Sequence, residues 1–447
     1  MSKKTWKLLC LSNGHGEDAI AVRILRELQQ LPHCPQLAVL PIVGEGHAYA
    51  ALGEIPIIGP VQQMPSGGFI YMDGRQLWGD IQGGLLQLTL TQFKIIRAWA
   101  REGGFILAVG DIVPLLFAWL SGAPYAFVGT AKSEYYIRDE EGPLTRQSWW
   151  EHYEGWSGSV YLPWERWLMS RSRCQAVFPR DTLTTQILQK FRIPAYDLGN
   201  PMMDDLEHSE MMSGEDRDNL AIEEKSRSSL VITLLPGSRA PEAYTNWRLI
   251  LEAVDRIIQT FYDRQLLFLA AIAPSLSLEG FYQGLDSFGW QGEKTGRLQR
   301  GSILLNSSNE LSAGMFQPQM SVTFTFRRAT LLLTQQGFNE CLQQGDFGIA
   351  MAGTATEQFV GLGKPGIVIP GKGPQYTPAF AEAQSRLLGP SLILTQSPAA
   401  VASVIQSLLA DPDQLQLIAE NGKRRMGNPG AARRIATCLL EKMKSQN

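Results

Sequence analysis

Two stretches carry residue types and spacing suited to holding an anionic, hydroxyl-rich ligand. The sharper is Leu234-Leu235-Pro236-Gly237-Ser238-Arg239-Ala240-Pro241-Glu242. An apolar run ends there in a glycine turn, a hydroxyl and an arginine, and an amphipathic stretch follows. Gly237 and Ser238 can offer N–H and O–H donors to an anion, and Arg239 adds a charge that can grip two oxygens at once. A diphosphate suits that set, with a helix N-terminus beside it contributing about 0.3–1 kcal/mol. Without a ligand, Pro-Gly is simply a turn and Arg239 a surface cation. The second stretch is Met351-Ala352-Gly353-Thr354-Ala355-Thr356-Glu357-Gln358. Its small residues let a ligand approach a helix start, and Glu357 or Gln358 one turn in can hold a sugar diol. Thr354 with Glu357 three residues on also spells a capping box, and the two roles are compatible.

The first half of the chain offers proton-handling groups instead. In Ser12-Asn13-Gly14-His15-Gly16-Glu17-Asp18, two glycines straddle a histidine. Asn13, Gly14 and Gly16 form a loop that a ligand can approach closely, with His15 directed into a cleft. The alternative is a tight turn with Asp18 capping the next helix. The spacing is not G-x-G-x-x-G, so a nicotinamide cofactor is not supported. Asp111 ends the apolar run Ala108-Val109-Gly110. It can cap the following helix, or serve as a general base, since a carboxylate in a low-dielectric cleft has its pKa raised. His15 is its partner or its rival for that task. A Trp/Tyr/Arg cluster, Trp149, Trp150, Tyr153, Trp156, Tyr161, Trp164, Arg166, Trp167, Arg171 and Arg173, holds five of the eleven tryptophans. Such a segment suits a membrane interface, or core packing or an oligomer contact. The glycine-rich segment 64–84, with Phe69, Tyr71 and Trp78, is a candidate loop over the same side.

These stretches need elements to position them. Strands are predicted at 5–12, 36–43, 104–110, 123–129 and 174–179, with helices at Asp18–Gln30, Leu85–Arg101, Ile112–Leu120 and Asp181–Lys190 between them. Apolar strands separated by helices indicate parallel sheets covered on both faces. The polar, acid-rich run 204–229 reads as a linker, after which the pattern restarts. Strands follow at 229–235, 265–272, 347–351 and 366–370, and helices at 241–260, from about 354, and at 378–388. The interval 281–330 is less regular, with β-prone pieces at 301–305 and 321–326. The fold class is α/β, with two doubly wound domains joined near 200–230. Such domains bind ligands beyond the carboxyl ends of their strands, where each motif above stands.

At 447 residues, 44% apolar and 19% charged, the chain has material for two or three cored domains. Forty basic against forty-three acidic residues excludes the charge footprint of a nucleic-acid binder. Five scattered cysteines without C-x-x-C spacing fit a reducing compartment and neither a disulfide framework nor a zinc site. The N-terminal apolar stretch is too short for a signal peptide. The run 104–120 is broken by Asp111 and Pro114, short of a spanning helix.

Laid side by side, these motifs make the chain resemble the lipid-A-disaccharide synthases of bacteria, and most closely the group called lipid-A-disaccharide synthase-related proteins. The resemblance rests on Pro236-Gly237-Ser238-Arg239 with Glu242, and on Gly353-Thr354-Ala355-Thr356 followed by Gly363-Lys364-Pro365. Weaker echoes are Gly110-Asp111 and Gly199-Asn200-Pro201-Met202-Met203-Asp204. It implies a GT-B glycosyltransferase, metal-independent and inverting, with no cofactor beyond a UDP-sugar donor. By that resemblance, residues 1–204 form an acceptor-side Rossmann-like domain, 205–228 an acidic linker and 229–429 the nucleotide-sugar domain. A last helix at about 430–447 crosses back to the first domain. Gly237, Ser238 and Arg239 would meet the diphosphate, Glu242 would belong to the same donor site, and residues 353–358 would meet the ribose and phosphates. Asp111 or His15 would be catalytic. The acceptor would be a lipid or glycolipid hydroxyl, met by a cytoplasmic enzyme peripheral to a membrane.

Three departures bear on the acceptor and the diol rather than the fold. The family's A-G-E-x-S-G-D opening is Ser12-Asn13-Gly14-His15-Gly16-Glu17-Asp18 here, and its A-P-D-F after the strand-end acid is Ile112-Val113-Pro114-Leu115. Gln358, not Glu357, takes the carboxylate position after Gly353-Thr354-Ala355-Thr356. Two alternatives remain: a UDP-sugar 2-epimerase-like enzyme, and a non-catalytic nucleotide-sugar sensor or membrane adaptor.

Overall fold

The structure is a computed structural model that describes residues 6–53, 55–61, 85–144, 156–204, 206, 229–292, 321–371, 373 and 376–445. The segment 64–84, Trp149, Trp150 and Tyr153, the β-prone piece 301–305 and all of 205–228 except Leu206 lie outside the described residues. The chain divides into two compact units, Met1–Asp205 with Gly427–Asn447, and Leu206–Met426.

The first unit holds β1 (Lys7–Asn13), α1 (His15–Gln30), β2 (Gln36–Val43), α2 (Leu85–Arg101), β3 (Phe105–Gly110), α3 (Ile112–Ser121), β4 (Tyr125–Gly129), α4 (Pro163–Met169), β5 (Cys174–Phe178) and α5 (Thr182–Lys190). Among the described residues the strands form one parallel sheet in the order β2-β1-β3-β4-β5. The two-residue alternation of a strand sorts its apolar side chains to opposite faces. Leu8 and Cys10 of β1 join one core with Ile20, Ile24 and Leu28 of α1. Leu9 and Leu11 join the other, with Ile96 of α2 and Leu115 of α3. Helices α1 and α3 thus cover opposite faces although β1 and β3 are neighbours. The crevice between the ends of those two strands is the topological switch point.

A helix at Ala431–Ser445 completes the first core with Ile435, Ala436, Leu439 and Met443. Asp204 caps it, accepting from Ala431 N at 3.0 Å and Ala432 N at 2.6 Å. At Gly199, with φ 84°, an added Cβ would lie 2.8 Å from Arg434 Nη2, and Arg434 Nε donates to Leu198 O at 3.0 Å. The Gly199–Asp204 motif therefore docks this helix.

The second unit holds β6 (Ser229–Leu235), α6 (Glu242–Thr260), β7 (Gln265–Ala271), α7 (Glu279–Ser287), β8 (Gln291–Gly292), β9 (Ser321–Phe326), β10 (Ala329–Thr334), α8 (Phe338–Gln344), β11 (Phe347–Ala350), α9 (Thr354–Gly361), β12 (Gly366–Val368), α10 (Pro378–Leu388), β13 (Leu392–Leu394), α11 (Val401–Leu409) and α12 (Pro412–Met426). The sheet order is β13-β12-β11-β6-β7-β10-β9-β8. Pairing is parallel from β13 to β10, whereas β9 and β8 add antiparallel at one edge. β9 coincides with the β-prone piece at 321–326, and it gives the parallel sheet an antiparallel edge. A tight turn at Arg327, φ 54°, folds β9 back on β10. The order reverses between β6 and β11, the second switch point.

Candidate active site

At the first switch point, Asp111 follows β3 and caps α3, Oδ1 accepting from Val113 N at 2.9 Å. Its Oδ2 accepts from Asn13 Nδ2, at the end of β1, at 3.1 Å. Capping and presentation in the crevice therefore coincide in one carboxylate. Asn13 is 6% exposed, and its Oδ1 is buried without a hydrogen-bond partner. The first helical turn adds Glu17, whose Oε1 accepts from Thr130 Oγ1, just past β4, at 3.4 Å. Gly110 makes room for it. Its φ is 131°, and an added Cβ would lie 3.1 Å from Glu17 Cγ and 3.6 Å from Asn13 Cβ.

Asp18 does not cap α1. The cap position is Gly14, and Asp18 turns inward to accept from Ser12 Oγ at 2.5 Å, which in turn accepts from Tyr49 OH at 2.6 Å. His15 is the first residue of α1, between Gly14, which is buried, and Gly16, which is exposed. Burial pushes the Glu17 carboxyl up to about 7; the nearby Asp111 and Asp18 charges push the same way, while its own amide N–H and the Thr130 hydroxyl oppose. Burial also raises Asp111, against the Val113 N–H, the Asn13 amide and, at longer range, Lys132. Lys132 is paired with Glu165 at 2.6 Å. Glu17 appeared in the sequence only as part of a motif; its place over the end of β3 is what singles it out.

At the second switch point, the Pro236–Arg239 turn and the start of α9 are drawn together by the main chain. Gly237 has φ 100°, and an added Cβ would lie 3.1 Å from Met351 O. Asn246 Nδ2, one turn into α6, donates to Pro236 O at 3.1 Å and Met351 O at 3.4 Å. Glu242 Oε1 accepts from Tyr376 N at 2.5 Å, and Tyr376 OH donates to Ala350 O at 3.2 Å. Gln384 Nε2 donates to Ala352 O at 3.1 Å and Gly353 O at 3.0 Å. Thus Glu242 braces the loop after β12, a task its position in the motif did not reveal. Lys364 Nζ similarly donates to Leu342 O at 2.9 Å and to Gln343 O, and burial lowers its pKa to about 8.

Ser238 and Arg239 stand exposed on the turn. The expected capping box at Thr354 does not form. Gly353 occupies the cap position, leaving Thr354 inside the first turn, where its side chain cannot reach back. Gly353 has no side chain to cover the amides of Thr354 and Ala355, so this helix start is open to an anion. Thr356 Oγ1 donates to Ala352 O at 2.5 Å, and Glu357 and Gln358 are both buried.

The aromatic-basic segment splits. Tyr161 is in the core, whereas Trp164 and Trp167 of α4 are 52% and 44% exposed. Trp167 meets Trp119 edge-on at 5.1 Å and carries the Arg171 guanidinium 4.4 Å from its centroid. Leu116 and Leu120 of α3 are also exposed. No described helix is long and apolar enough to cross a membrane.

Against solved structures, the chain matches a Listeria monocytogenes protein assigned as a UDP-N-acetylglucosamine 2-epimerase, with TM-score 0.56 and 14% identity over 99% of this chain and 98% of that one. It matches CalG4, the calicheamicin glycosyltransferase, with TM-score 0.55 and 10% identity over 98% of each chain. The chain has the GT-B fold. Staphylococcus aureus MnaA, solved with UDP, matches with TM-score 0.53 and 13% identity over 98% of this chain and 97% of that one. No family model and no curated protein matches the chain. In this GT-B protein the two Rossmann-like domains each place their candidate residues at a reversal of strand order.

Proposed function

We propose that the protein is a metal-independent, inverting glycosyltransferase related to lipid-A-disaccharide synthase. It moves a hexose or N-acetylhexosamine from a UDP-sugar to a hydroxyl of a lipid or glycolipid. The observation that carries this reading is the union of the Pro236–Arg239 turn with the open start of α9 through Gly237, Asn246 and Met351. Arg239, Ser238 and the amides of Thr354 and Ala355 hold the diphosphate and stabilise its charge as it departs. They do so as preset donors, the role a metal ion fills elsewhere. The Gly353–Gln358 stretch receives the nucleotide's ribose and phosphates. The acceptor hydroxyl is activated at the first switch point, where Asp111 stands at the head of α3 and His15 at the head of α1. The exposed Trp164, Trp167, Leu116 and Leu120, with Arg171 beside them, support a peripheral place on the cytoplasmic face of a membrane.

Calorimetry with UDP, GDP, dTDP and a UDP-sugar panel, without metal, tests the donor site. Metal-independent UDP binding that weakens at least about tenfold in Arg239→Ala is the expected result; no nucleotide binding at all removes the reading. The second reading, a UDP-sugar 2-epimerase, draws on the neighbour so assigned. It is distinguished by incubating UDP-N-acetylglucosamine alone, because only an epimerase then yields an epimeric UDP-sugar.

A further inference from the structure

Within that transferase reading, on which this inference rests, the structure assigns the acceptor's proton to Glu17, with Asp111 as its fixed negative neighbour. Three observations set the two carboxyls apart. Asp111 is held at both oxygens, Oδ1 by Val113 N and Oδ2 by Asn13 Nδ2, so its orientation is set. Glu17 meets its own amide N–H and makes one long side-chain contact, Thr130 Oγ1 at 3.4 Å. And Gly110, by lacking a Cβ, lets the Glu17 side chain lie across the end of β3 beside Asn13, whose buried Oδ1 has no protein partner.

The charged groups around Glu17 come from each element packed there: Asp18 on its own helix and Asp111 at the head of α3, with Lys132 and Glu165 beyond Asp111. Burial raises its affinity for a proton, and the two neighbouring acids add to this. The result is a carboxyl that changes charge near neutrality, which suits a general base. In the step, the acceptor O–H proton passes to Glu17 as the oxygen's electron pair bonds C1. The C1–O bond to the diphosphate breaks, and UDP leaves with that pair. Glu17 then returns the proton to solvent.

The test uses the full chain, UDP-N-acetylglucosamine, and mixed micelles of octyl β-D-glucoside and phosphatidylglycerol, with UDP release followed from pH 5 to 9. Glu17→Gln is expected to lose at least about 100-fold in rate while its UDP affinity by calorimetry stays unchanged. Glu17→Asp should recover part of the rate, with the acid limb displaced. Asp111→Asn should keep measurable turnover with the limb moved to lower pH, because a negative neighbour has been removed. If the unaltered protein releases no UDP, the transferase reading falls and this assignment with it. If it does, and Glu17→Gln keeps its rate and limb while Asp111→Asn abolishes turnover, Asp111 is the base and only the assignment of Glu17 is overturned.

Discussion

The two switch points use polar side chains in opposite ways. In the second unit, Asn246, Glu242, Tyr376, Gln384 and Thr356 each hydrogen-bond a main-chain group, and Tyr376 OH also donates to Gln384 Oε1 at 3.3 Å. They hold loops still, and the ligand is left to amides and Arg239. In the first unit, the corresponding side chains meet one another: Asp111 with Asn13, Glu17 with Thr130, Asp18 with Ser12. A site made of fixed dipoles suits an anion whose charge is constant. A site made of coupled acids suits a proton whose position must change. One half should therefore answer to substitutions that loosen backbone, and the other to pH.

The strongest way to break this contrast is Asn246→Ala. It strands two carbonyls and separates the turn from α9, so stability should fall by about 2–4 kcal/mol and UDP affinity should fall with it. Denaturant melts read alongside calorimetry check this; affinity surviving the loss would mean that the loops need no tie. Next comes Glu17→Gln. The folded pKa of about 7 stands above the ordinary 4.5, so this group's contribution is complete below pH 4.5 and is lost as pH rises through 7. The variant should be the more stable at pH 8 by on the order of 2–3 kcal/mol, each pKa unit being worth about 1.4, and equal at pH 4. Melts across that range decide it. Arg239→Ala should weaken UDP binding roughly tenfold or more, equally at pH 8 and pH 9, where the terminal phosphate is fully ionised. A pH-dependent loss would blur the contrast. The smallest effect concerns neither site: Trp164→Ala with Trp167→Ala should lower sedimentation with phosphatidylglycerol vesicles about tenfold, with little change in stability.

Much of this was legible in the sequence. Apolar runs ending in glycine or an acid marked β1, β3, β6 and β11, because a strand buried on both faces has little choice of residue. Asp111 and Asn13 could be named from their strand ends. What escaped notice depended on neighbours distant along the chain. β10 was missed because its partners are β7, over fifty residues earlier, and an antiparallel hairpin strand. Glu17 was only one residue of a motif, because the space for it is left by Gly110, nearly a hundred residues on. That Glu242 Oε1 meets Tyr376 N was likewise out of reach, since the two residues lie over a hundred positions apart.

The helix at Ala431–Ser445 has a consequence for how the protein is made. The second unit is a single uninterrupted stretch, Leu206–Met426, set inside the first. During synthesis it can close its core as soon as its own residues have emerged. The first unit, begun earlier, must wait with the face beside α1 uncovered until Ile435, Leu439 and Met443 arrive and Asp204 finds the amides of Ala431 and Ala432. The half of the molecule that is started first is therefore finished last.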